Sequence, residues 1–369
     1  MSTLITFRDV SCLNTIMLIF FIVGALDYLF DNKLKLGQEF ENGFFLMGKL
    51  FILMTGFMVL SPIVACYSAA VITPFFARFG CDPSILAGLF LGSDGGGAIL
   101  AKELALDEQA GLFNGVIVGS MMGVTIVFSI PMILSNVKGP NRIYATYGLL
   151  IGLLSIPFGC ILSGILAGFS LEMVWINSIP VILFNIFLIF IFVNWTEKII
   201  PFFAVIAKVV LFIALLGLII AVIESTTGMV VLKGTNSLTE ISPLICSIGI
   251  FLAGILPFIA VLQKLLKPIL KKISKKININ DVSAAGFIVS LASSIPTFLN
   301  LNKMDGKGCM MNCAFLVSAS FALGDHLAFT SQFSPELNIP LMVGKVVAGI
   351  VATCMAYLVM PFLKLAQKN

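Results

Sequence analysis

Charge is scarce in this chain: Asp, Glu, Lys and Arg make up 11% of its 369 residues, against 59% hydrophobic residues and a mean hydropathy of +1.10. That balance excludes a water-soluble enzyme and defines an integral membrane protein. Histidine is scarcer still, with His326 alone, and neither an HExxH motif nor a cluster of metal ligands occurs. A membrane-embedded enzyme using Asp325 and His326 as acid and base therefore lacks motif support, and nothing calls for a cofactor or a metal. No polar stretch is long enough to fold as a separate soluble domain. The net charge of +4 is no sign of nucleic acid, because in a membrane protein the positions of Lys and Arg report orientation. The eight cysteines lie in or beside apolar segments, and Cys309 and Cys313 have one-turn helical spacing rather than that of a zinc or redox motif. They read as small hydrophobes. The first apolar run, "TIMLIFFIVGALDYLF", lacks a strongly basic start and a convincing small-residue cleavage site, and reads as a span.

What is abundant is apolar sequence in runs of about 20 residues, enough to cross a ~30 Å hydrocarbon core at ~1.5 Å per helical residue. They fall near 11–30, 44–77, 84–106, 110–134, 143–169, 173–194, 203–223, 242–266, 283–302, 308–332 and 340–362. Trp175 and Trp195 bracket the segment 173–194 as two interfacial anchors.

An internal repeat runs through these segments. "IMLIFFIVGALD" (16–27) matches "IALLGLIIAVIE" (213–224) and places Asp27 on Glu224. One residue further in offset, Ala87-Gly88 falls on Ala285-Gly286, Asp107 on Asp305, Asn114 on Asn312 and Ser120 on Ser318. The expected fold is an all-α polytopic membrane protein of two repeats, 1–170 and 203–369, joined by a linking transmembrane helix within 171–202. The lysines set their relation. "QKLLKPILKKISKK" (263–276) holds six lysines and should face the cytoplasm, whereas its counterpart around 78–82 holds only Arg78. The repeats therefore read as inverted, which requires 84–106 and 283–302 to be broken, re-entrant hairpins, with the N-terminus outside and the C-terminus inside.

The first break, "SDGGG", sets Asp94 beside Gly95, Gly96 and Gly97; the second, "LASSIPTFLN", uses Ser293, Ser294 and Pro296. Broken backbone at membrane depth is tolerated only where it is buried in protein or lines a wet cavity. Asp94 either caps the second half-helix or meets a cation. "FALGDHLAFTSQ" (321–332) adds Asp325, read as sharing a helix face with Ser318, and His326, sharing one with Thr330. Asn114 and Asn312 are candidates either to cap helices or to line the site. Lys345 reads as snorkelling or pairing with a carboxylate such as Glu336, and Asp107 and Asp305 as parts of hydrated turns. The residues flanking Asp94 and Asp325 are mostly glycine, alanine and serine, which disfavours a quaternary ammonium.

At these residues the chain resembles a known family, the bacterial ethanolamine utilisation permeases of the EutH type. "SSIPTFLNLNKMDGKGCMMNCAFLVSASFALGDHLAF" (293–329) resembles that family's Pro-rich break, Met-Asp-x-(Arg/Lys)-Gly turn and Gly-Asp-His-Leu motif, and "FGCDPSILAGLFLGSDGGGAILAKELA" (79–105) its first-half counterpart. The first break departs from the family pattern of Asp-Met-Gly-Gly and a bulky residue, with Asp94-Gly95-Gly96-Gly97-Ala98 in its place. The resemblance implies a multi-pass protein of the bacterial inner membrane that imports ethanolamine, chiefly protonated, for breakdown by a cobalamin-dependent lyase. A carboxylate suits that cargo: at ~4 Å and an effective dielectric near 20, one ion pair supplies about 4 kcal/mol before desolvation. The alternatives are an H⁺- or Na⁺-coupled carrier of another small amine or amino acid, and a passive channel.

Overall fold

The computed structural model describes residues 12–363, and every regular element among them is helical. In chain order the helices are α1 (Cys12–Leu29), α2 (Gly37–Ala77), the short α3 (Ile85–Phe90) and α4 (Ala98–Leu104), then α5 (Glu108–Asn136) and α6 (Asn141–Leu166). α7 (Leu171–Trp195) runs into α8 (Pro201–Thr227) across a kink at Trp195, where φ is −140° and ψ 36°. There follow α9 (Leu238–Ile277), α10 (Asp281–Ala292), α11 (Ile295–Asn300), α12 (Gly306–Ala319), α13 (Asp325–Phe333) and α14 (Asn338–Val359). Seven helical stretches among the described residues are long and apolar enough to cross a membrane; they lie in α2, α5, α6, α7, α8, α9 and the region of α14. Trp175 and Trp195 stand exposed at the two ends of α7, as interfacial anchors require.

The two acids aligned by the sequence offset, Asp27 and Glu224, play similar parts. Asp27 accepts the amides of Leu34, Leu36 and Gly37 in the loop leaving α1, and Glu224 those of Val231 and Leu232 in the loop leaving α8. Each carboxylate thereby satisfies donors that a turn next to a helix end leaves over. Close helix packing is matched as well. A methyl group on Gly56 of α2 would come within 1.7 Å of the Ala214 carbonyl oxygen of α8, and one on Gly254 of α9 within 2.4 Å of the Met17 carbonyl oxygen of α1. The small residues let backbones approach, the main source of helix cohesion in lipid. α2 thus packs closely on α8, and α9 on α1.

Segments 84–106 and 283–302 each begin and end at one point. Asp82 Oδ1 accepts the Ser84 amide at 2.9 Å, while its Oδ2 accepts the amides of Leu106 at 2.9 Å and Asp107 at 3.1 Å. At the second segment the Asn280 amide donates to Asp305 Oδ1 at 2.8 Å, and Asn280 Nδ2 to the Lys303 carbonyl at 2.9 Å. Asp107 and Asp305 then cap the helices that follow, α5 and α12, by accepting the amides of Ala110 and Gly308.

One expected span is not continuous. Segment 308–332 breaks between Ala319 and Asp325, with Phe321 at φ +58°, so Ser318 and Asp325 lie on different helices and share no face. The freed backbone is satisfied by the last turn of α10: the amides of Phe321 and Leu323 donate to the carbonyls of Ser290 (3.0 Å) and Leu291 (2.8 Å).

Candidate functional site

The first break is shaped by two rows of glycine. After α3, Leu91 and Gly92 are extended, and Ser93–Gly97 turns the chain into α4. The three glycines have different tasks. Gly96 holds φ +96°, and a Cβ there would lie 2.3 Å from that of Phe57; a Cβ on Gly97 would lie 2.7 Å from the Leu91 and Gly92 carbonyl oxygens. Only glycine fits those two positions. Gly95 has no neighbouring heavy atom within 4 Å of where its Cβ would stand, because it faces a cavity. The second row is Gly111, Gly115, Gly119 and Gly123 on α5, one every four residues. It forms a groove for the α3–α4 segment: Cβ atoms on Gly111, Gly115 and Gly123 would collide with Ala105, Ala101 and the Leu91 carbonyl, and one on Gly119 would press on the Ser93 amide at 3.2 Å. Along this stretch α5 is wound as a π-helix over Phe113–Gly123 and Thr125–Ser129, a distortion that recurs at functional sites.

The cavity has a volume of about 330 Å³ and brings together Asp94, Gly95, Asp325 and His326, which the chain separates by more than two hundred residues. Gly92 and Ile295 contribute from the two breaks, Lys49 and Phe57 from α2, and Phe128 and Phe321 complete an aromatic side. His326 is fully buried; its Nε2 lies 3.6 Å from Asp94 Oδ1, and its ring meets the edge of Phe321 at a centroid distance of 5.5 Å. The Asp94 side chain keeps 17% of its surface exposed, toward the cavity. Asp94 stands in the first turn of the Ser93–Gly97 segment, with its carboxylate beside the amides of Asp94 and Gly95, so it can serve the start of that turn while facing the cavity. Asp325 Oδ1 and both ring nitrogens of His326 have no hydrogen-bond partner in the protein, nor do the hydroxyls of Ser93 and Ser320. Unsatisfied polar atoms are costly in lipid-embedded protein and are uncommon in native folds. The arrangement offers carboxylate acceptors for a cation, a donor-or-acceptor imidazole and an apolar, aromatic wall in one small space.

Other candidates from the sequence lie elsewhere. Asn114 Nδ2 donates to Ser84 Oγ (2.9 Å) and Asn177 Oδ1 (3.0 Å), and Asn312 Nδ2 to the Ser283 and Gly308 carbonyls (both 2.9 Å). Both asparagines therefore brace the bases of the hairpins and do not line the cavity. Ser294 is buried, with its hydroxyl toward the Ser290 carbonyl at 3.4 Å; Ser293 is half-buried, and the cavity at this break is lined by Ile295. Gly96 and Gly97 shape the turn behind Gly95. Lys345 neither snorkels nor pairs with Glu336. It is fully buried, donating to the Ser120 carbonyl at 2.5 Å, while Glu336 accepts from Ser334 Oγ. The aromatic side was missed because Phe57, Phe128 and Phe321 are distant in sequence from Asp94. The four-residue glycine spacing on α5 was visible in the sequence and marks the groove.

Discontinuous helices meeting at a partly polar cavity inside a polytopic helical protein define a membrane transporter. The chain belongs to the family described as ethanolamine utilisation protein, EutH, whose sequence profile matches residues 11–359. It is 39% identical to the "Probable ethanolamine permease EutH" of Listeria monocytogenes serotype 1/2a (strain 10403S), over 91% of this chain and 90% of that one. It is 35% identical to the "Uncharacterized protein YxeR" of Bacillus subtilis (strain 168), over 92% of each chain. The Escherichia coli (strain K12) protein, also named "Probable ethanolamine permease EutH", is 34% identical over 94% of each chain. No solved structure matches the chain. The family is one of permeases rather than enzymes, and the chain is a multi-pass bacterial membrane protein.

Proposed function

We propose that the protein imports ethanolamine as its ammonium ion by alternating access, binding it in the cavity that Asp94, Asp325 and His326 share. The convergence of those three side chains on one small space carries the reading. An ammonium ion cannot cross lipid cheaply, and it needs acceptors for three hydrogens. Two carboxylates and the turn carbonyls beside Gly95 supply them, while His326 is placed to meet the hydroxyl. A volume of about 330 Å³ lies at the small end of the ~300–1,000 Å³ range of ligand pockets, which suits a cargo of four heavy atoms. With two carboxylates facing one ammonium, the same cavity can also take a coupling H⁺ or Na⁺.

In this reading the halves 1–170 and 203–369 are inverted repeats joined by the linking helix within 171–202, and the segments 84–106 and 283–302 are re-entrant hairpins. The shared anchor points at Asp82 and Asn280 support the hairpins. The reciprocal packing of Gly56 on Ala214 and Gly254 on Met17 supports the repeat. The experiment is uptake of radiolabelled ethanolamine into proteoliposomes under imposed pH, Na⁺ and voltage gradients. Saturable uptake that one gradient accelerates is expected; uptake linear in concentration would make the protein a channel.

A further inference from the structure

A second cavity, of about 610 Å³, lies away from the transport site, between the start of α2, the basic half of α9 and the outer face of α10. Its charged lining is unequal: Lys35, Lys264, Lys267 and Lys271 stand against the carboxylates of Glu39 and Asp281. The spacing 264, 267, 271 puts three of the lysines on one face of α9. Lys264 is held at the rim by donating to the Leu34 carbonyl at 3.1 Å. The apolar lining comes from Leu270 of α9 and Ala284, Ala285, Ile288 and Val289 of α10, of which Ala284 and Ile288 are buried while Lys264, Lys267 and Lys271 are exposed.

A basic rim over an apolar floor matches an amphiphile with an anionic head. We infer that this cavity binds an anionic phospholipid of the cytoplasmic leaflet, its phosphodiester among the lysines and an acyl chain along α10. The leaflet follows from the lysine-rich end of α9, which the excess of basic residues on cytoplasmic loops places inside. Basic pockets between membrane helices on that side suit such head groups. A free phosphate ion would satisfy the lysines but leave the apolar floor without a partner. The site also touches the transport machinery: α10 runs from the cavity at Asp281 to the second break at Ala292, about 16 Å away, so the lipid would fix the outer end of a hairpin arm. The inference does not depend on which amine is carried, and its test reads lipid rather than transport.

The test is native mass spectrometry of the full-length protein extracted from vesicles of phosphatidylcholine doped with phosphatidylglycerol, counting phosphatidylglycerol retained per protein. Two triple variants remove equal charge from one helix. Lys264→Gln, Lys267→Gln and Lys271→Gln lie in the cavity, whereas Lys272→Gln, Lys275→Gln and Lys276→Gln lie outside its lining. The first set should lose retained phosphatidylglycerol on the order of tenfold, and the second should keep it. Equal loss in both would overturn the inference in favour of diffuse attraction by a basic helix. Displacement of the lipid by inorganic phosphate would overturn it in favour of a soluble anion. The exposed single change Lys267→Gln, which leaves the Lys264 to Leu34 bond intact, provides a variant that folds; it should show a smaller loss in the same direction, and full retention would count against the site.

Discussion

His326 Nε2 lies 3.6 Å from Asp94 Oδ1, across the gap between the start of α13 and the first helix break. The distance is too long for a direct hydrogen bond and short enough for one small polar group to touch both. On the proposed reading, the carboxylate and the imidazole face each other across a binding site rather than in a finished structural bond. His326→Phe keeps an aromatic ring in the buried position and removes both nitrogens. Uptake of ethanolamine should fall about tenfold, the loss of one buried hydrogen bond to a charged or polar partner, with detergent melting unchanged within a few degrees. Normal uptake by a correctly inserted variant would make His326 a packing residue.

The glycines of the first break should separate in their tolerance. Gly96→Ala places a methyl group on the Phe57 side chain and forces alanine to a left-handed φ, which alone costs about 1–2 kcal/mol. Its melting temperature and yield should drop clearly. Gly95→Ala meets open space and should fold normally. Gly95→Met should also fold, while shrinking the cavity and weakening competition by amines bulkier than ethanolamine. Thermal melts and competition series on the three variants check this, and equal destabilisation by Gly95→Ala and Gly96→Ala would contradict it.

Much of the architecture was legible in the sequence, because a strict requirement governs it. Every amide in lipid must be satisfied, so apolar runs become helices and the positions of Asp94-Gly95-Gly96-Gly97 and Ser293-Ser294-Pro296 announce breaks. The repeat offsets placed Asp27 on Glu224 and Asp107 on Asp305, and each pair shares one matching bond: Asp27 and Glu224 accept the amide seven residues on (Leu34, Val231), and Asp107 and Asp305 the amide three residues on (Ala110, Gly308). The interruption between Ala319 and Asp325 was not legible: its residues are ordinary helix formers apart from Gly324, and its backbone is satisfied from outside, by the end of α10. The same holds for Lys345, whose partner is a main-chain carbonyl 225 residues away that side-chain chemistry cannot signal.

Phe57, Phe128 and Phe321 change the expectation for quaternary amines that the residues flanking Asp94 suggested. Aromatic faces around a cation contribute about 0.5–2 kcal/mol each when they are well placed. Choline should therefore compete measurably with ethanolamine, and Phe321→Leu should weaken choline severalfold more than ethanolamine. Identical losses for both amines in the competition assay would show that the ring supports His326 without meeting the cargo.

Topology is open to labelling. In a functional cysteine-free background, cysteines at Gly80 and Leu106 should react from one side of intact cells, since both ends of that hairpin meet at Asp82. Cysteines at Asp281 and Lys303 should react from the other side, together with one at Lys272. Labelling of Gly80 and Leu106 from opposite sides would reject the first re-entrant hairpin.

The central claim is that Asp94 and Asp325 hold one ammonium ion between them, and uptake per correctly inserted molecule tests it most directly. Asp94→Asn and Asp325→Asn preserve size and one acceptor oxygen while removing the charge and the second acceptor. Each should reduce ethanolamine uptake at least about tenfold, and the double variant should be little worse than either single one, because both changes disable the same site. Near-normal uptake by Asp94→Asn, or losses in the double variant that multiply as independent effects, would contradict the account.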